Sequence, residues 1–387
     1  MSASLDYDVA IAGAGIVGAS IAYHLALRGM RVVIVDATGP AAAASGASDG
    51  AVSVASKKPG VMARLATASL VYTRELARNG GPLSGAFAPR PGFFFATDPA
   101  EESALDMLIG KLNTLETPVC VTGDQPGADG LCGLGPTVSR LVTLTGEGHM
   151  LGYEAVRAYL SAAPVDKRWP SSLLGWEAGG TSVTIRTGNG SLRVGKLVLA
   201  LGVSSPELVS GLPVVPRAGQ LVVTDRAQVK SLPGALTAAS YLMAKTGGHE
   251  AMPKPPVVVD PLSTGQFLVG SSREDHGDPS RISFATIRSL IARAVEVWPA
   301  LRKRQIVRIF TGIRAAVTDS LPIVGPLADT PRVFLATGFE GDGICLSAVI
   351  GREVAAMVCD EPCNEALVAD LLALSPSRFH LPGGCLA

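Results

Sequence analysis

The sequence predicts an α/β protein in which a doubly wound domain is discontinuous and a second, α+β domain on a mostly antiparallel sheet is inserted into it. Three observations predict this. Tyr7 to Asp36 reads strand, glycine turn, helix, strand, the pattern of a parallel βαβ unit. A second glycine turn, Gly338 to Gly343, leads from an apolar strand into a helix near the far end. Strands of the nucleotide-binding type come from the beginning, middle and end of the chain, with no repeat or linker dividing it.

The first unit carries the most chemistry. Asp8 to Ala12 is a buried strand, followed by Gly13-Ala14-Gly15-Ile16-Val17-Gly18, a helix ending near Gly29, and a strand ending at Asp36. The first glycine permits the tight turn, the second lets a pyrophosphate approach the backbone, and the third lets helix and strand pack closely. The phosphate then rests on the helix N-terminus, where free N–H groups and the dipole favour an anion. Asp36, 18 positions after Gly18, can take the hydroxyls of an adenosine ribose. The motif serves NAD and FAD alike. The plain alternative is a structural βαβ turn.

Bulk properties exclude several classes. At 387 residues the chain is long enough for two joined domains. Thirty-three basic and 33 acidic residues cancel, leaving no electrostatic footprint for nucleic acid or an anionic membrane. The N-terminal MSASLDYD lacks a signal pattern and no apolar run approaches a membrane span, so the expected compartment is cytoplasmic. Cys120, Cys132, Cys345, Cys359, Cys363 and Cys385 form neither a CxxC pair nor a disulfide framework, and no metal site is expected.

After Asp36 the chain is rich in small residues, Ala37 to Gly60. It reads either as a flexible loop or, with Ser45, Gly46, Ser48 and Gly50, as backbone wrapping a cofactor. Val61 to Ala77 is a helix by periodicity, and Gly92 to Pro99 a buried strand whose aromatics read as core. Ala100 to Leu115 and Gly152 to Ala163 are helices. Ser172 to Trp176 is a strand, Thr187 to Gly190 a hairpin signal, and Lys196 to Gly202 ends a buried strand. Pro213 to Asp225 and Pro256 to Ser271 read as strands, separated by a polar connection from Ala239 to Pro255. Phe284 to Trp298 is a helix, Gln305 to Gly325 a strand then a turn, Arg332 to Ala336 a buried strand, and Ile344 to Val358 the last long helix.

Several segments together resemble the FAD-dependent D-amino-acid oxidase-like family. They are GAGIVG with Asp36, SGASDG, KLVLALG at 196–202, GIRAAVTDSLPIVGP at 312–326, FLATGFEGDGICLSAVIG at 334–351 and LSPSRF at 374–379. The resemblance implies FAD rather than NAD and a Rossmann-like FAD-binding domain made of 1–90, 145–212 and 312–387. The substrate-binding domain would then be 91–144 with 213–311. It places Ala37, Leu173, Ala200, Gly202, Gly312 and Gly338 along the cofactor beside the residues of the first turn. Gly341, Asp342, Gly343 and Ile344 would form a second helix end facing the flavin N1 and C2 carbonyl, with Asp342 capping the helix or binding a ribityl hydroxyl. Alternatively this is an ordinary capped helix.

The resemblance also implies that Arg314 takes a substrate carboxylate as a bidentate pair; the alternative is a structural ion pair with a protein acid. Ala315 stands where many members carry proline. Gly312 occupies the position of the cysteine that anchors FAD in sarcosine oxidase-like members, so FAD is expected to be non-covalent. Leu268 and Cys345 stand where oxidases of this type carry lysines, which points to an electron acceptor other than O₂.

The fragment from Ser53 to Leu70 resembles the flavin subunits of heteromeric opine, hydroxyproline or glycine dehydrogenases. This implies partner subunits carrying further redox centres. The expected reaction is oxidation of a C–N bond in an amino acid or secondary amine, with hydride leaving to flavin N5 and the imine hydrolysed by water. His249, with Glu250, is a candidate to line the pocket or act as base; His24 and His276 read as structural or solvated. The rival readings are an FAD-dependent 2-hydroxy-acid dehydrogenase, a non-catalytic flavin scaffold subunit and an NAD(P)-dependent reductase.

Overall fold

The computed structural model describes residues 4–127, 131–227, 232–246, 255–379 and 381. Its strands form two sheets. The first runs Ile323–Leu327, Thr330–Thr337, Gly190–Leu199, Tyr7–Ala12, Val32–Val35, Asp166–Arg168. From Thr330–Thr337 to Asp166–Arg168 the pairing is parallel, with Ala10 opposite Leu197, Ala10 also opposite Val33, and Val198 opposite Phe334. The three central strands therefore come from the start, middle and end of the chain.

Both faces of this sheet are covered, which is why its strands are apolar throughout. Successive side chains alternate between the two faces. Val9 and Ile11 pack into the core built with helices Ile16–Ala26, Gly152–Ala162 and Gly343–Val358. Ala10, Ala12, Val33 and Val35 instead meet Trp176, Val183 and Ile185, from the hairpin strands Leu173–Ala178 and Val183–Thr187. Helix Ile16–Ala26 is buried almost all round, as expected for a helix between sheet and helices. Gly351 makes its contact with the last long helix possible: a Cβ there would lie 2.1 Å from Ser20 Oγ.

The second sheet runs Ile306–Val317, Val214–Thr224, Phe267–Gly270, Val258–Pro261, Ala235–Ala238, Phe87–Ala96, Arg140–Met150, Ala51–Val52, with Cys120–Gly123 also on Arg140–Met150. It is antiparallel except where Ala235–Ala238 runs parallel to Phe87–Ala96. Helix Phe284–Val297, capped by Ser283 Oγ accepting from the Thr286 N–H, turns Ile287, Leu290 and Ala294, together with Trp298, into a buried core against the second sheet. Phe93 and Phe95 join that core; Phe94 points the other way, towards the cavity described below.

The expected polar connection from Ala239 to Pro255 is corrected. It opens with the helix Ala239–Thr246, immediately after the strand Ala235–Ala238. That strand is too short to show a period, and its pairing with Phe87–Ala96 on one side and Val258–Pro261 on the other fixes it. The sheets join where Val214, Ala315 and Val317 turn from the second sheet into the core of the first.

Candidate active site

Two cavities meet at this junction. One, of about 1450 Å³, is lined by Gly13, Gly15, Ile16, Val17, Asp36, Ala37, Ser45, Leu173, Ala200, Gly202, Gly338 and Gly343, among others. The other, of about 1150 Å³, is lined by Ile16, Ser45, Ser48, Gly312, Arg314, Gly341, Gly343 and Ile344, with Lys57, Phe94, Glu147, Tyr241 and others. Ile16, Ser45, Glu340 and Gly343 border both, so the two form one trough.

The first cavity is cut to admit something against the backbone. Gly13 has φ of +108° and faces Ala200, where a Cβ would lie 2.3 Å from the carbonyl oxygen. Gly18 does not line the cavity; a Cβ there would lie 2.0 Å from Gly13 O, so it serves the contact of helix on turn. Ser45 Oγ accepts from the Ile16 N–H at 2.9 Å, and Ser48 Oγ donates to Ser45 O at 2.9 Å. The N–H groups of Val17 and Gly18 have no protein acceptor among the described residues, so the helix end remains open to an anion.

Asp36 is more occupied than a free ribose acceptor. One oxygen accepts from the Ala14 N–H at 2.8 Å. The other accepts from the Thr38 and Gly39 N–H groups at 2.9 and 2.8 Å. The carboxylate thus ties the glycine turn to the following loop and keeps about one acceptor site for a ligand. Gly46 and Gly50 are backbone positions rather than cavity lining: a Cβ at Gly46 would lie 2.2 Å from Ala41 O, and one at Gly50 2.8 Å from His149 Nε2.

The second helix end lies against the first, with the Cβ position of Gly343 3.8 Å from Ile16 Cγ2. Asp342 stands at its N-cap position, but its side chain makes no capping hydrogen bond. Its carboxylate instead lies 2.8 Å from Lys57 Nζ. Of the two alternatives for Asp342, capping of the helix is therefore corrected: a buried cation competes for the carboxylate. Among the described residues no protein acceptor takes the Gly343 and Ile344 N–H groups.

In the second cavity Gly312 and Arg314 pair across the strands with Gly219 and Arg217, so these four share one face. Gly312 packs on Ala47, 2.9 Å from its Cβ position to that of Ala47. Arg217 is neutralised by Glu340 at 3.0 Å, which Arg273 also engages. Arg314 is satisfied differently. It donates to the carbonyls of Ala218 and Ser272 at 3.2 Å each, and to Ser271 Oγ. No carboxylate pairs with it among the described residues. Burial pulls its pKa below the usual arginine value. The structural ion pair weighed for Arg314 is thus absent among those residues.

Three charged side chains of the cavity wall escape sequence reading. Glu340, with φ of +47°, ties the second glycine turn to the second sheet. Glu147 is buried and its carboxyl pKa is raised by that burial. Lys57 is buried also; burial draws its pKa down, but Asp342 and Cys345 beside it more than reverse this, leaving it above the ordinary lysine value. The paired lysines Lys57 and Lys58 in a small-residue loop were the only signal. Leu268 is buried and is not among the residues lining this cavity, and Cys345 has Lys57 near it. The argument from these two positions against O₂ thereby loses its structural footing. His249 and Glu250 lie outside the described residues, so the site is built without them.

Turns, helix ends and trough fit a dinucleotide cofactor of the flavin class. The sequence matches the profile of the FAD dependent oxidoreductase (DAO) family over residues 8–357. The chain belongs to that family. It is 31% identical over 202 residues to hydrogen cyanide synthase subunit HcnC of Pseudomonas aeruginosa, covering 51% of this chain and 43% of that protein. The chain thus spans less than half the length of this relative. Glycine oxidase of Pseudomonas aeruginosa is 27% identical over 365 residues, covering 90% of this chain and 93% of that one. The crystal structure of glycine oxidase from Geobacillus kaustophilus shares the fold, with a TM-score of 0.83, 23% identity, and coverage of 95% and 98%. No helix among the described residues is long and apolar enough to cross a membrane.

Proposed function

We propose that the protein oxidises the C–N bond of an amino acid or secondary amine, of D-amino-acid, proline or opine type. The observation that carries this reading is Arg314: a half-buried guanidinium on the cavity face, bonded to carbonyls and a hydroxyl but to no described carboxylate. A charge drawn partly out of water without a counter-ion is disfavoured, and an incoming substrate carboxylate supplies one. Bound FAD supplies the hydride acceptor. Arg314 holds the substrate in one orientation, so that the carbon bearing nitrogen faces the floor formed by Gly341, Gly343 and Ile344. Phe94 and Leu221 contribute apolar wall that excludes bulk water. The substrate nitrogen reacts unprotonated, its lone pair assisting loss of hydride, and water completes hydrolysis of the imine.

In this reading Gly13, Gly15, Val17, Asp36, Ala37, Leu173, Ala200, Gly202 and Gly338 hold the nucleotide half of FAD, while Ser45, Ser48 and Gly312 border the flavin half. Position 312 offers no thiol, so FAD is held non-covalently. The segments 1–90, 145–212 and 312–387 serve as the cofactor domain and 91–144 with 213–311 as the substrate domain.

A second level of organisation is favoured by the likeness to a hydrogen cyanide synthase subunit. We infer that this chain works as the flavin subunit of a heteromeric complex, passing electrons to a partner rather than to O₂. The test is an anaerobic absorbance titration with D- and L-amino acids, sarcosine, proline analogues, opines and 2-hydroxy acids, followed by reoxidation with O₂. Bleaching by an amine class supports the proposal. Bleaching by 2-hydroxy acids alone overturns it, and rapid reoxidation by O₂ overturns the partner-acceptor reading.

A further inference from the structure

Lys57 is held in place from two sides. Glu147 Oε1 accepts from the N–H groups of Val54 and Ala55 at 3.1 and 3.0 Å. Lys111 Nζ donates to the carbonyls of Ala55 and Lys57 at 2.5 and 3.0 Å. The turn between these clamps delivers the Lys57 ammonium, with 2% of its side chain exposed, to 2.8 Å from Asp342 Oδ1. Lys57 lines the second cavity beside Gly341, Gly343 and Ile344, whereas Asp342 is not among its lining residues. Of the two partners, Lys57 borders this cavity and also a smaller one beside Lys58, Met107 and Lys111, whereas Asp342 borders neither. A buried ion pair contributes little net stability compared with apolar packing. An ammonium on the cavity wall beside Gly343 and Ile344, in contrast, adds to the positive field of the helix N-terminus there.

We propose that Lys57 sets the redox level of the bound flavin, stabilising the negative charge that the ring system gains on two-electron reduction. This rests on the assignment of the second cavity to the flavin half of FAD. Two electrons and one hydrogen arrive together as hydride; the ring gains one net negative charge, and Lys57 keeps its protons throughout. Its role is electrostatic positioning rather than proton transfer. Asp342 moderates it, since that carboxylate opposes the same field.

The two partners must then act with opposite sign, which a purely structural pair would not do. The experiment is spectroelectrochemical titration of the holoenzyme, with sulfite titration as a second readout. Sulfite donates its sulfur lone pair to flavin N5 and leaves the same negative charge on the ring. Lys57→Met should weaken sulfite binding about tenfold or more and lower the two-electron midpoint potential by about 30 mV per tenfold. Lys57→Arg should stay near wild type, and Asp342→Asn should raise the potential and tighten sulfite binding. An unchanged potential in Lys57→Met, or shifts of the same sign in Lys57→Met and Asp342→Asn, overturns the proposal. If Lys57→Met fails to retain flavin, Asp342→Asn decides alone, and an unchanged or lowered potential overturns it. A wild-type protein that carries no flavin would instead sink the cavity assignment itself.

Discussion

The guanidinium of Arg314 crosses the backbone of Gly219 on the neighbouring strand, so closely that a Cβ at 219 would lie 2.3 Å from Nη2 and 2.6 Å from Cζ. Gly219 pairs with Gly312, so Arg314 leans diagonally across the ladder into space that two glycines leave open. Its position over the cavity floor depends on that opening. Gly219→Ala should displace Arg314 and raise KM for a carboxylate substrate, while FAD stays bound. Arg314→Ala should raise KM roughly 10- to 100-fold, the loss of a hydrogen bond to a charged group, with little effect on an amine lacking a carboxylate. Steady-state kinetics on matched substrates reads both, and unchanged KM in Arg314→Ala would remove it from the site.

Asp36 accepts three backbone N–H groups that join the glycine turn to the 38–39 loop. Asp36→Ala leaves those donors without their acceptor and removes the remaining oxygen from the cavity. FAD affinity should fall by at least about tenfold, given about 1.5–3 kcal/mol for a hydrogen bond to a charged acceptor. Fluorescence titration of the apoprotein with FAD measures this, and wild-type affinity would count against the assignment.

Gly351 meets Ser20 where the two helices approach, and a Cβ at 351 would also lie 2.7 Å from Ser20 Cβ. Overpacking of this kind costs about 1–3 kcal/mol. Gly351→Ala should lower the urea midpoint accordingly, and adding Ser20→Gly should recover part of the loss. Additive penalties in the double variant would show that the helices do not meet there.

His24 gives the protein a pH dependence below neutrality. Its Nδ1–H donates to Ser20 O at 2.7 Å and Nε2 accepts from the Tyr72 hydroxyl at 3.0 Å, both in the neutral ring. Burial, followed by the charges of Arg28 and Arg352, holds its pKa down at about 4. The unfolded chain takes up a proton near pH 6.5, whereas the folded chain does so only near the lower value. Stability is therefore complete above the unfolded pKa and falls as pH drops towards 4, by about 2 kcal/mol at pH 5. Urea melts at pH 7.5 and 5 should show this loss, and His24→Gln should largely abolish it. Equal pH dependence in the two proteins would exclude His24 as the source.

The first βαβ unit was legible because everything it needs is close in sequence. Strand period, glycine spacing and the acid at Asp36 all lie within one short stretch, and local sterics dictate the turn. The helix Gly343–Val358 and strand Thr330–Thr337 were legible for the same reason. The helix Ala239–Thr246 and strand Ala235–Ala238 were not, because a short strand has no period and is fixed by its neighbour. The capping alternative for Asp342 failed likewise: a free aspartate caps a helix, but an ammonium from a distant segment takes its charge.

By itself, then, the sequence determined a dinucleotide turn and the order of elements, because motif chemistry is local and residue types restrict it, while its resemblance to a known family implied FAD and pointed to Arg314. Tertiary structure alone decided which charges share the cavity. It neutralised Arg217 with Glu340, left Arg314 without a described counter-ion, and brought Lys57 to Asp342. Those outcomes depend on which remote segments meet in a medium from which water is excluded, and there a single contact of a few ångströms decides whether a charge is compensated or available to a ligand.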